Sequence, residues 1–103
     1  MLQIYRLTKS FPPEERYGLT SQLRRAALSV PTNVAEGSKR LTNPEYARFL
    51  NIAEASLAET EYLLMVSRDL GYLTAAVTKP VLNETGEIAK MLHSLRSKVG
   101  KVS

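Results

Sequence analysis

Apolar residues recur with the period of an α-helix in every stretch of this chain long enough to show a period, and no stretch sustains an alternation of period two. That pattern restricts the fold to helix packed on helix. From Tyr46 an apolar face runs through Phe49, Leu50, Ala53, Leu57, Thr60, Leu64 and Ser67, widened by Ile52, Leu63 and Leu70 and ended by Gly71. So broad a face predicts the most buried helix of the set. At its start Thr42 and Glu45 make a capping box and Leu41 and Tyr46 a hydrophobic staple, with Asn43 before Pro44 as a competing cap.

The remaining segments supply three more helices. Leu2 to Ser10 is a short one, closed by the FPP at positions 11 to 13. A second helix can open there, because proline is tolerated in a first turn and Glu14 and Glu15 suit the positive end of the dipole. Leu19, Leu23, Ala26, Ala27, Val30 and Val34 form its apolar face, and Gly37 offers a left-handed stop. Pro31 lies inside it and removes the amide that would bond the Ala27 carbonyl, so a kink is expected, with Ser29 or Thr32 placed to satisfy what is freed. In the last helix Val81, Thr85, Ile88, Leu92, Leu95 and Val99 make a bundle seam, with Pro80 in or close to the first turn. Short connections imply antiparallel neighbours. The expected fold is all-α: one domain over residues 1–103, an antiparallel up-and-down four-helix bundle with a short first helix and a second helix kinked at Pro31.

Composition and motif content remove most chemistries. Hydrophobic residues at 44% and charged residues at 23% are ordinary for a soluble globular chain. No run reaches the length of a membrane span, and MLQIYRLTKSF lacks the apolar stretch and cleavage site of a signal peptide, so a cytoplasmic protein without membrane contact is expected. Without cysteine there is no disulfide, thiolate nucleophile or zinc-cysteine site. His93 is the single histidine, there is no GxSxG turn, and Lys90 stands where a di-iron bundle needs glutamate three residues before its histidine. The glycines are scattered singly, and Glu59 and Glu61 point to different faces of one helix. These absences predict a protein that is not an enzyme and holds no metal or cofactor.

The stretch RRAALSVPTNVAEGSKR carries a polar strip. Gln22, Arg25, Ser29, Asn33, Glu36 and Arg40 fall together about 110° around helix two from its apolar face, a flank where it meets a neighbour. Ser56 and Glu59 occupy the matching border of helix three. Gln22, Arg25, Ser29, Asn33, Glu36, Ser56 and Glu59 are therefore candidates for a structural polar network or interface, with Arg25 and Glu59 as its ion pair. The alternative is a solvated flank.

FPPEERYGLTSQLRRAALSVPTNVAEGSKR, followed by EYARFLNIAEASLAETEYLL and DLGYL, resembles the small four-helix-bundle family first noticed as proteins encoded in intervening sequences of bacterial large-subunit ribosomal RNA genes. The most specific part is Arg25, Ser29, Pro31, Asn33, Ala35, Glu36 and Gly37, and the resemblance spans residues 11 to 99. It implies a homo-oligomer, a pentameric barrel, without catalysis. A related branch, the accessory variability determinant of diversity-generating retroelements, implies a basic pentamer that binds nucleic acid and a reverse transcriptase. The resemblance also implies a first helix about twice as long as the one before FPP; either the chain starts within that helix or a neighbouring subunit covers a short corner.

With a net charge of +4, the leading expectation is an oligomeric scaffold that binds RNA, DNA or a nucleic-acid enzyme through Arg24, Arg25, Lys39, Arg40 and Arg48, gathered around the turn between helices two and three. The runner-up is a purely protein-binding regulatory module using Leu28, Tyr62, Met65 and Val66, which lie outside the core stripes.

Overall fold

The structure is a computed structural model that describes residues 2–102, with side chains described from Gln3 to Gly100. Its helices are α1 (Leu2–Thr8), α2 (Leu19–Gly37), α3 (Asn43–Asp69) and α4 (Ala75–Val102), and among the described residues there is no strand. This is the all-α four-helix bundle with a short first helix that the periodicity predicts. α3 lies at the centre, packed along α2 on one side and α4 on the other, while α1 rests on α2. Among the described residues no Cα of α2 lies within 8 Å of a Cα of α4.

Each helix boundary has a local cause. Thr42, with extended backbone, caps α3 by accepting the Glu45 amide at 3.4 Å, so the threonine and not Asn43 is the cap. The expected staple does not form: Leu41 is fully exposed at 100% and has no hold on Tyr46. At the other end of α3, Gly71 takes φ +83. The Tyr72 amide then reaches the Ser67 carbonyl at 2.9 Å and the Gly71 amide reaches Arg68 at 3.0 Å, which is the Schellman closure.

Two expected boundaries move. The FPP segment does not open α2; Pro13–Glu15 is a single 3-10 turn, and α2 starts at Leu19 after Gly18. Glu15 links the pieces, because one carboxylate oxygen accepts the Leu19 amide at 3.2 Å and the other the Tyr72 hydroxyl at 2.9 Å. That hydrogen bond, followed by burial, raises the Tyr72 pKa above the ordinary tyrosine value. The stabilisation from it is therefore complete below the ordinary tyrosine range and is lost as pH climbs through the raised one. Pro80 falls at the sixth residue of α4, one turn beyond its expected place, and Thr74 accepts the Val77 amide at 3.2 Å to begin that helix.

α2 stays helical through Pro31. The Thr32 hydroxyl donates to the Leu28 carbonyl at 2.8 Å and not to that of Ala27, and the Ser29 hydroxyl turns away to α3. Gly37 does not stop the helix in the left-handed region, because Gly71 is the one described glycine with positive φ and Ser38 closes α2 at φ −65. The use of Gly37 lies in what it lacks. A Cβ there would stand 2.7 Å from the Phe49 Cβ and 3.0 Å from the Tyr46 ring, so the end of α2 approaches the start of α3 more closely than any side chain allows.

The core has two parts. Under α1, Ile4, Phe11, Leu23, Ala26, Ala27, Leu63, Leu64 and Leu73 pack together. Toward the α2–α3 turn, Val30, Leu50, Ala53, Leu57 and Leu92 form the second. Ile52 and Leu70, expected to widen the buried face of α3, are exposed, as is Leu95 of the α4 seam.

Candidate functional site

A polar seam joins α2 to α3. The Asn33 amide donates to the Ser29 carbonyl at 2.8 Å and to its hydroxyl oxygen at 2.9 Å, and the Ser29 hydroxyl pairs with that of Ser56 at 2.9 Å. Thr60, fully buried, donates to the Ser56 carbonyl at 2.8 Å. These half-buried groups satisfy one another across the helix interface, as groups taken from water must. Replacing Ser56 by alanine is expected to cost about 1 kcal/mol in urea unfolding, the worth of one such bond. A loss no larger than that of an exposed serine, such as Ser94→Ala, counts against the seam.

Beside the seam is a pocket of about 240 Å³ lined by Gln22, Arg25, Ala26, Ser29, Ser56 and Glu59. Arg25 and Glu59 share it but are both exposed and form no ion pair within 4 Å, which corrects the expected pairing. In water, the attraction between two long charged side chains barely exceeds the entropy of holding them together. Gln22 is exposed at the same pocket, and Glu36 lies exposed farther along α2, outside the cluster.

The five candidate cations do not gather. Arg24 turns to α1, where its Nε donates to the Thr8 hydroxyl at 2.8 Å and its Nη2 to the Tyr5 carbonyl at 3.4 Å, with the guanidinium 4.9 Å from the Tyr5 ring centroid. A cation on the last carbonyls of a helix is a structural cap. Arg24 and Arg25 also sit about 18 Å along α2 from its end, by the helical rise.

Lys39, Arg40 and Arg48 do meet at the α2–α3 turn, all exposed. Two of them converge on one ring: the guanidiniums of Arg40 and Arg48 lie 4.5 Å and 4.9 Å from the Phe49 centroid. Arg48 also stands 3.6 Å from the exposed Glu45 carboxylate. Phe49 and Tyr46, expected in the core, are half-buried. The role of Phe49 as a platform was foreshadowed only by its position next to Arg48.

His93 is an edge residue, as expected, with its Nδ1 3.7 Å from a Glu54 carboxylate that also binds Arg96 and ties α4 to α3. Among the described residues, no three His, Cys, Asp or Glu side chains are grouped to hold a metal ion, and no helix is long and apolar enough to cross a membrane. Leu28, Tyr62 and Met65 are exposed, and Val66 is half-buried.

Comparison with known proteins bears on this arrangement. No curated protein matches the chain. Among solved structures, a protein of unknown function from the S23 ribosomal protein family of Bacteroides thetaiotaomicron is similar at 26% identity with a TM-score of 0.85, over 92% of this chain and 89% of that one. The family profile described as 23S rRNA-intervening sequence protein matches residues 1–94. Because that profile covers nearly the whole chain and the fold is the same helical bundle, the chain belongs to the 23S rRNA-intervening sequence protein family.

Proposed function

We propose that the protein is a non-enzymatic, homo-oligomeric helical scaffold of the cytoplasm, pentameric by resemblance, that binds RNA or DNA without reading sequence and needs no cofactor. The observation that carries this reading is the turn where Arg40 and Arg48 rest on the Phe49 ring beside exposed Lys39. A guanidinium held on an aromatic face is pre-positioned and still presents its donors, which suits a phosphate backbone. Three cations bind weakly on one chain, and an assembly repeats the patch so that contacts add. A nucleic-acid enzyme such as a reverse transcriptase would meet the same surface.

Filter binding with RNA and with DNA tests this. Affinity is expected to fall linearly with salt on logarithmic axes, and the joint Lys39→Ala and Arg40→Ala change should reduce the slope by about 2, one for each phosphate that the side chains no longer neutralise. Replacing Arg24, which is spent on α1, should leave the slope unchanged. No retention of either nucleic acid by folded, assembled protein would discard the reading in favour of a protein-binding module built on exposed Leu28, Tyr62 and Met65.

A further inference from the structure

Two depressions meet where the end of α1 and the link between the 3-10 turn and α2 lie against α2. The first, of about 470 Å³, has Tyr5, Tyr17 and Arg25 in its lining, and the second, of about 340 Å³, has Lys9, Pro12 and Pro13. Arg16, Thr20 and Arg24 line both, so the two form one furrow. Four cations line it and no carboxylate does. Among the described residues none of the four has an acidic partner within 4 Å. The nearest acids in sequence, Glu14 and Glu15, stay outside the lining, and Glu15 is held by the Leu19 amide and the Tyr72 hydroxyl. In a chain with 14 basic and 10 acidic residues, this local excess equals the whole net charge of +4. Such a surface attracts anions.

The aromatic rings decide which anion. Tyr17 is 88% exposed and the Arg16 guanidinium lies 5.7 Å from its ring centroid on one face, so the other face is open to water. Tyr5 is 39% exposed, with Arg24 4.9 Å from its centroid. Arg24 has its Nε and Nη2 on Thr8 and the Tyr5 carbonyl, so it braces the furrow, while exposed Lys9, Arg16 and Arg25 keep their donors for a ligand. We propose that this furrow binds single-stranded nucleic acid, an unpaired base stacking on the open face of Tyr17 while the flanking phosphates meet Lys9, Arg16 and Arg25. The contact rests on the nucleic-acid reading above but uses a different surface, about 18 Å along α2 from the Phe49 turn. A duplex covers the faces of its bases with one another and offers the furrow only phosphates, whereas an unpaired strand offers both. An acidic peptide matches the charge but brings no flat face to the ring. Stacking accepts every base, so the contact selects strandedness and not sequence.

The test compares an oligouridylate carrying one 2-aminopurine with an RNA duplex of equal length. The protein should quench the single strand, because 2-aminopurine dims when it stacks. Tyr17→Ala is expected to weaken single-strand binding about fivefold or more and to abolish the quenching, with helical circular dichroism unchanged, and Tyr17→Phe to keep both. The duplex should bind Tyr17→Ala as it binds the wild type. The joint Lys9→Ala and Arg25→Ala change should lower the single-strand salt slope by about 1.4, from about 0.7 for each phosphate. If neither strand form binds, this contact falls together with the nucleic-acid reading. If both bind and Tyr17→Ala weakens neither or weakens both alike, or if polyglutamate of equal charge competes as well as the oligonucleotide, this contact alone is overturned.

Discussion

Gly37→Val is expected to destabilise the protein by about 3 kcal/mol, the upper range for forcing extra atoms into a packed site. The backbone is not the reason, because Gly37 is helical with no positive φ. Intrinsic propensity opposes the loss, since valine is a better helix residue than glycine by a few tenths of a kcal/mol. Any destabilisation must therefore come from the clash. A Cβ at this position meets the Phe49 Cβ at 2.7 Å, and neither atom lies at the flexible end of a side chain, so α2 and α3 must move apart. Gly37→Ala should show the same sign with a smaller size. The shift has a functional consequence as well, because Phe49 is the ring on which Arg40 and Arg48 rest. Nucleic-acid affinity should fall in parallel with stability. Urea unfolding decides the matter: a Gly37→Ala protein more stable than wild type would mean that the helices can yield and that the glycine is not a packing requirement.

That glycine marks what the sequence could and could not convey. Periodicity located the long helices, because burial on one face leaves its trace at every turn. It also placed Gly71, where a chain reversal and a left-handed glycine coincide. At Gly37 the same residue type serves the opposite purpose, and a sequence does not distinguish a needed φ from a needed absence of Cβ. Arg24 and Arg25 present the same difficulty. Adjacent helical residues point about 100° apart, and only the position of α1 shows that the first caps a helix and the second lines an open pocket. The Ser29, Asn33 and Ser56 seam was legible because its members share a strip at helical spacing, whereas the Arg25 and Glu59 pairing failed because spacing does not report exposure to water.

Leu64→Ala is expected to cost about 3 to 4 kcal/mol, and Leu41→Ala no more than about 0.5 kcal/mol. The two substitutions delete the same atoms. Leu64 is 0% exposed and Leu41 is 100% exposed, so the difference between them isolates burial. Part of the loss at Leu64 is the transfer of the side chain out of water, and the rest is the cavity that its neighbours fail to close. The cluster that holds Leu64 also contains Ile4 of α1, Leu23 and Ala27 of α2 and Leu73 of the turn before α4, each fixed by its own element, so the space does not close by one side chain swinging in. Against a total stability of roughly 5 to 15 kcal/mol for a domain of this kind, one such change removes a large share. α1 should respond first. Seven residues are too few to hold a helix in water without packing, and Ile4 is its main anchor in this cluster. Hydrogen exchange in Leu64→Ala should therefore accelerate at the amides of α1 before those of α3 around Leu50 and Ala53, which belong to the other half of the core. Equal acceleration in both halves would show that the two clusters unfold as one unit, and a urea midpoint no lower than that of Leu41→Ala would remove Leu64 from the core.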